Sequence, residues 1–338
     1  MPMAKPRAGQ DGSADAAILP DVRALLGVWP IGTVHAVVPA ASGTVNRTLL
    51  VDAVSGRFAL RSYRHREPEP VIREHAIIAH VRAASLPAIA PFPLPDGETI
   101  LAVDGRFHAL FPIAPGRQCA RAALGPDEAV AMGICLGRLH RALISLPQQW
   151  AAPRSFATDR GGTLARIAHL ETTIRAQPRL ESLDRAALVW LRGQREWINR
   201  HDADPHDLLA PLEWQVIHGD YQDSNLFFLS GRVSAVIDWE QTYLAPRAWE
   251  LLRTMHHAFA FSPDLCGPFL AAYRAIAPTT VDDLDRAALA YAQKIGHDLW
   301  VHEEYYLHGN ERVRQFFQPG GFVSPSDRWR ALRASLSK

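Results

Sequence analysis

The 338-residue chain predicts an α+β fold in two lobes: a small N-terminal antiparallel sheet lobe with one helix, then a larger, mainly helical C-terminal lobe. Three observations carry that prediction. Short β-rich runs separated by turn residues fill the first third of the chain. PIAPGRQ, residues 112–118, then places two prolines and a glycine where one pattern gives way to another. Beyond it, long segments carry apolar residues at three- and four-residue spacing. The length also exceeds one usual domain. The expected boundaries are a disordered tail at 1–17, an N-terminal lobe at 18–111, a linker at 112–118 and a C-terminal lobe at 119–338.

The tail MPMAKPRAGQDGSADAA is rich in Pro, Gly, Ala and charge, and lacks the apolar segment of a signal peptide. NRTLLVDA and RFALRSY are β-rich runs joined through Val54, Ser55 and Gly56, the composition of a hairpin. A helix should follow in PVIREHAIIAHVRAA, where Val71, Ile78 and Val81 recur near helical spacing and Pro70 suits the start. TILAV and FHALFPI, on either side of Asp104 and Gly105, are two more short strands. GPDEAVAMGICLGRLHRALISL opens on Pro126 with acidic first-turn residues and runs on as a helix, and residues 160–200 and 283–308 have the same pattern. NLFFL and VSAVIDW, joined through Ser230 and Gly231, form a second hairpin.

With 36 Lys and Arg against 35 Asp and Glu, the charge is nearly balanced, which argues against a nucleic-acid-binding surface. Charges or prolines break every apolar run before it reaches membrane-spanning length, so no membrane partner is expected. Cys119, Cys135 and Cys266 are far apart and match no metal-ligand spacing, so reduced thiols in a cytoplasmic protein are the simplest account. A monomer and a homodimer are equally compatible with the sequence.

VIHGDYQDSNLFF, residues 216–228, sets His218, Asp220 and Asn225 on a short polar segment between apolar runs. Asp and Asn favour turns for local hydrogen-bonding reasons, so a simple turn is one reading. The other comes from phosphoryl transfer, where a catalytic-loop aspartate is followed after four residues by a metal-binding asparagine, and a second metal-binding aspartate comes later. Asp220 and Asn225 have that spacing, and Asp238 follows the second hairpin, which would return it close to Asn225. Mg²⁺ needs few protein oxygens because phosphate and water supply the rest. Two further parts lie in the N-terminal lobe. SGTVNRTLLV could fold Gly43, with Asn46, over a phosphate. Arg61 could reach the α- and β-phosphates, held in place by Glu74 on the following helix.

So assembled, the chain resembles the aminoglycoside phosphotransferase and choline kinase-like family, from about Val45 to Trp249: GTVNRTLLV, RFALRSYR, REH, FHALFPIAPGR, LGRLHRAL, HGDYQDSN, VIDWE and PRAWEL occur in family order. FHALFPIAPGR and LGRLH look most like the homoserine kinase-like branch, and also like bacterial stress-response protein kinases. The resemblance implies a protein-kinase-like fold, with a nucleotide-binding N-terminal lobe and a C-terminal lobe for catalysis and acceptor binding. It implies that Asp220 is the catalytic base or hydroxyl-orienting residue, that Asn225 and Asp238 are metal ligands, and that His218 braces the loop. FHALFPIA would serve adenine, Glu240 would add a nearby carboxylate, and Glu250 stands where an aspartate is more usual and should be buried. Arg61 departs from the usual lysine, replacing a point charge by a planar fork.

The expected function is therefore transfer of the γ-phosphoryl group of ATP, with Mg²⁺, to a hydroxyl of a small metabolite such as a homoserine-like amino alcohol. Alternatives are a protein Ser/Thr kinase, an aminoglycoside kinase and a non-catalytic nucleotide-binding module. His140 reads as a core histidine. His256 and His257 are adjacent on a helix, so at most one should line the acceptor site. HEEYYLHGN matches no zinc pattern, although Asp298, Glu303 and Glu304 could meet an amine on the acceptor.

Overall fold

The computed structural model describes residues 22–40, 47–152, 154–318 and 320–336, and the chain forms two compact units, one ending at Pro115 and one beginning at Gly116. The tail, Gly43 and Asn46 lie outside the described residues.

In the first unit a short helix, α1 at residues 22–26, precedes strands β1 (Val34–Pro39), β2 (Arg47–Ala53) and β3 (Gly56–Ser62), then helix α2 (Glu69–Ala83), then β4 (Leu101–Val103) and β5 (Arg106–Pro112). The sheet is antiparallel, in the order β1-β2-β3-β5-β4. Alternation on β2 and β3 turns Leu49, Val51, Phe58 and Leu60 into a core that also takes in Leu26, Trp29, Ile31 and Leu110. β1 did not stand out in the sequence, and its exposure explains why: none of its six residues is buried, and it ends at Pro39 on the sheet edge. An edge strand has little need of the inward alternation that betrays a strand. Helix α2 starts with Glu69 and Pro70, as its opening residues suggest, and buries Val71, Ile77, Ile78 and Val81 together with Glu74.

The second unit runs β6 (Arg117–Gln118), α3 (Pro126–Leu143), α4 (Arg160–Arg175), α5 (Ser182–Arg200), α6 (Pro205–Leu209), β7 (Trp214–Ile217), β8 (Leu226–Leu229), β9 (Arg232–Val236), β10 (Tyr243–Pro246), α7 (Arg247–His257), α8 (Pro263–Arg274), α9 (Val281–Gly296), α10 (Trp300–Tyr306) and α11 (Pro325–Leu336). Two small sheets frame the polar loop: β6 pairs with β8 and β8 with β9, while β7 pairs with β10. The helical stretch at 160–200 divides at 176–181, where Pro178 cannot continue a helix. The stretch at 283–308 divides at 297–299. Helix α9 is central, packing on α6, α7 and α11. Among the described residues no helix is long and apolar enough to cross a membrane.

Helices α3 and α8 pack closely because α3 carries glycine where they meet. A Cβ on Gly133 would lie 2.3 Å from the Phe269 carbonyl oxygen, and one on Gly137 would lie 3.0 Å from the Ile276 side chain. In an open helix, Gly→Ala is stabilising by about 1 kcal/mol. At Gly133 the sign reverses, because the added methyl forces two backbones apart. Gly133→Ala is expected to lower the unfolding free energy by about 1–3 kcal/mol, measured by urea denaturation; unchanged or raised stability would contradict this packing.

Candidate active site

The polar loop leaves β7 at Ile217 and turns at Gly219, whose φ of 86° is left-handed. A Cβ there would meet the Gln241 carbonyl oxygen at 2.3 Å and the Tyr243 ring at 2.6 Å, so both conformation and space demand glycine. Glu250, on the first turn of α7, accepts the backbone N–H of His218 at 3.1 Å and of Gly219 at 2.5 Å. Its third donor is His140 Nε2 at 2.8 Å, while His140 Nδ1 lies 2.8 Å from the Tyr273 hydroxyl. Burial alone would raise the Glu250 carboxyl, but the hydrogen bond and charge of His140, with His218 and the Gly219 amide, outweigh it and hold it below the ordinary range.

His218 is fully buried and braces the loop from within. Its Nε2 donates to the Ile237 carbonyl at 3.0 Å, and its Nδ1 accepts the Asp220 N–H at 3.2 Å, which fixes the tautomer. Tyr221 and Thr254 pin the next residue: the Tyr221 hydroxyl donates to the Met132 carbonyl, and the Thr254 hydroxyl to the Tyr221 carbonyl.

With the backbone so held, Asp220 keeps a partly exposed side chain whose carboxylate three neighbours orient. Asn225 Nδ2 donates to Oδ2 at 2.9 Å, Gln222 Nε2 to both oxygens at 3.0 and 3.2 Å, and Arg253 Nη2 to Oδ1 at 3.2 Å. The Asn225 amide also donates to the Asp220 carbonyl at 2.8 Å, which turns its Oδ1 away from the aspartate. Leu226 pairs with Val236, and the Ile237 N–H donates to the Asn225 carbonyl at 3.0 Å, so the hairpin brings Asp238 back one residue beyond that bond. Asp238 itself has φ 68° and ψ 53°, a left-handed geometry that aspartate tolerates better than most residues.

In the first unit, Arg61 Nη1 lies 2.9 Å from Glu74 Oε1, and the Glu74 side chain is only 1% exposed. The pair is part-buried, with the carboxylate enclosed and the arginine 15% exposed. The Arg61 guanidinium also stands 5.2 Å over the Tyr63 ring. Burial, and then the charge of Arg61, push the neighbouring His75 imidazole down to about 4.

Sequence reasoning missed Arg253. It is 33 residues from Asp220 and carries no motif of its own; its place one turn after Glu250 on α7 was the signal available. His256 and His257 do converge, since both rings reach the Tyr291 hydroxyl, at 2.9 and 3.0 Å. Burial first, with nearby cations and, for His256, the ring of His257, pushes them down to about 3 and about 4. Glu303 pairs with Arg166 at 2.6 Å and Glu304 accepts from Asn310 at 2.9 Å, both carboxylates staying partly exposed.

The profile described as "Phosphotransferase enzyme family" matches residues 36–289. The homoserine kinase of Rhodopseudomonas palustris is 28% identical over 249 residues, covering 72% of this chain and 69% of that protein. The homoserine kinase of a Caulobacter species is 26% identical over 255 residues, covering 72% and 71%. Among solved structures, an aminoglycoside phosphotransferase from Alicyclobacillus acidocaldarius superposes with a TM-score of 0.64 at 13% identity, covering 92% of this chain and 94% of that one. Spectinomycin phosphotransferase in complex with ADP and spectinomycin gives 0.65 at 13% identity, covering 93% and 98%. These structural likenesses establish a shared protein-kinase-like α+β fold.

Glu250→Gln removes the charge that three donors converge on. The expected loss of unfolding free energy at neutral pH is about 3–5 kcal/mol, the range for breaking a buried pair, read by chemical denaturation. Because the Glu250 carboxyl lies below its ordinary value of 4.5, its stabilisation is complete above about pH 4.5 and disappears as the pH falls through the lower folded value. The variant should therefore lose that part of the acid limb of its stability profile, and an unchanged acid limb would refute the assignment.

Proposed function

The chain belongs to the phosphotransferase enzyme family, and from that premise we propose how its residues divide the transfer of a γ-phosphoryl group from ATP to a hydroxyl on a small molecule. The observation that carries the reading is the Asp220 carboxylate, held by Asn225, Gln222 and Arg253 on a loop whose backbone is fixed from below. Such a carboxylate can align an acceptor hydroxyl and take its proton late, as the loose transition state requires. Arg253 keeps it pointed, so it acts through Asp220.

Asn225 and Asp238 suit Mg²⁺. The Asn225 amide nitrogen is spent on Asp220, which leaves its oxygen as the coordinating atom, and the hairpin returns the Asp238 carboxylate to that neighbourhood. Among the described residues no cluster of three His, Cys, Asp or Glu side chains could hold a metal ion, so a hard cation shared with phosphates fits better than an all-protein site. When bound, Mg²⁺ offsets charge on the phosphates. Arg61, braced by buried Glu74, binds the non-transferred phosphates in this reading, where its fork can make two contacts. The three cysteines are free and buried, which supports a reducing, cytoplasmic setting.

For the acceptor we favour a homoserine-like amino alcohol, because homoserine kinases are the relatives matched along most of the chain. The aminoglycoside enzymes share the fold at 13% identity, which carries no substrate with it.

The test is ADP release with Mg²⁺-ATP across L-homoserine, choline, aminoglycosides and a generic protein substrate. Asp220→Asn should retain Mg²⁺-ATP affinity while turnover falls by about 10²–10⁴; unchanged turnover would defeat its assignment. In Asp238→Ala, metal-dependent nucleotide binding and turnover should fail together, as followed by titration calorimetry with and without Mg²⁺. Persistence of metal-dependent binding would remove Asp238 from the metal site.

A further inference from the structure

Protein donors engage the Asp220 carboxylate on both oxygens. Oδ1 accepts from Gln222 Nε2 and from Arg253 Nη2, each at 3.2 Å, and Oδ2 accepts from Gln222 Nε2 at 3.0 Å and from Asn225 Nδ2 at 2.9 Å. A carboxylate offers about four lone-pair sites, and two donors on each oxygen occupy them. A hydroxyl that is to be aligned by Asp220 must therefore take the place of one of these donors.

The three donors are not equally replaceable. Asn225 is buried, and the same amide nitrogen donates to the Asp220 carbonyl at 2.8 Å. Its backbone is held as well, the N–H by the Gln222 carbonyl at 2.9 Å and the carbonyl by the Ile237 N–H at 3.0 Å. Arg253 is a cation whose side chain is only 15% exposed, so parting it from Asp220 would strand a charge largely out of water. Gln222 is neutral and half-buried, and a single nitrogen of it spans both carboxylate oxygens. The two N–H bonds of an amide diverge too widely to meet the two oxygens of one carboxylate separately, so one N–H is shared between them, in a contact weaker than a straight hydrogen bond. Water can solvate the amide once it is released. Gln222 is thus the donor that yields, and the edge of the carboxylate between the two oxygens is what it uncovers.

We propose that Gln222 sets the preference for an alcohol acceptor over water, by covering the Asp220 carboxylate until an acceptor held by its own contacts displaces the amide. The inference rests on the reading of Asp220 as the hydroxyl-orienting residue. With either acceptor the attacking oxygen forms the new bond to the γ-phosphorus, the bond from that phosphorus to the bridging oxygen of ADP breaks, and the hydroxyl proton passes to Asp220. Water has no remote part whose binding offsets the loss of the Gln222 contact, whereas a larger acceptor does. Gln222 acts through Asp220 and is a positioning residue.

The test measures ADP and inorganic phosphate released from Mg²⁺-ATP by the full chain with no acceptor added. It compares the unsubstituted protein with Gln222→Ala, Gln222→Met and the double variant Asp220→Asn/Gln222→Ala. Both single substitutions remove the donor, and Met keeps the length of the side chain. Each should raise hydrolysis by about tenfold, the worth of one hydrogen bond to a charged group, and the double variant should lose the gain. Mg²⁺-ATP affinity, read by titration calorimetry, should stay unchanged in both, which also shows that they are folded. No rise in hydrolysis, or a rise that persists without the Asp220 carboxylate, would overturn the proposal. A gain confined to Gln222→Ala would overturn it by placing the effect in the space opened, and weakened nucleotide binding would do so by placing Gln222 on the phosphates. The phosphotransfer reading is judged apart from this, by whether ADP release with an added alcohol acceptor disappears in Asp220→Asn with Gln222 in place.

Discussion

A carboxylate taken out of water must be met by donors on every side, and Glu250 is met by two backbone amides of the loop and by His140. Those contacts tie helix α7, helix α3 and the turn at Gly219 to one atom group. The loop has little freedom left once this is made, because any shift of His218 or Gly219 would strand a buried charge at a cost of several kcal/mol. Arg253 sits one helical turn further along α7, so the element that fixes the loop backbone also aims the Asp220 carboxylate. The spacing of a helix thereby sets the distance between the support of the loop and its exposed carboxylate.

The parts of this arrangement that were legible in the sequence are the local ones. Asp220, Asn225 and Asp238 could be read because a single loop and a single hairpin relate them, and turn residues at Ser230 and Gly231 announce that hairpin. Arg61 and Glu74 lie on consecutive elements, and their pairing at 2.9 Å follows from a strand running into a helix. What could not be read depends on packing between distant segments. Arg253 meets Asp220 because α7 docks beneath the loop, and nothing in RTMHH states where that helix will lie. The commitment of Glu303 to Arg166 joins residues 137 apart. Strand β1 was illegible for another reason, since an exposed edge places no demand on its side chains.

Carboxylates in the second unit that sequence alone would offer to a ligand, such as Glu303 and Glu304, already have protein donors.

The contact of His256 and His257 with one Tyr291 hydroxyl couples two protonation patterns. A phenol has one proton to give, so it can donate to only one imidazole, and the other ring must supply an N–H of its own. The tautomers of the two rings are therefore correlated: whichever nitrogen accepts, its neighbour's ring donates. Because burial lowers both imidazoles and keeps them neutral at neutral pH, the two opposite proton orders along this three-membered chain carry the same net charge.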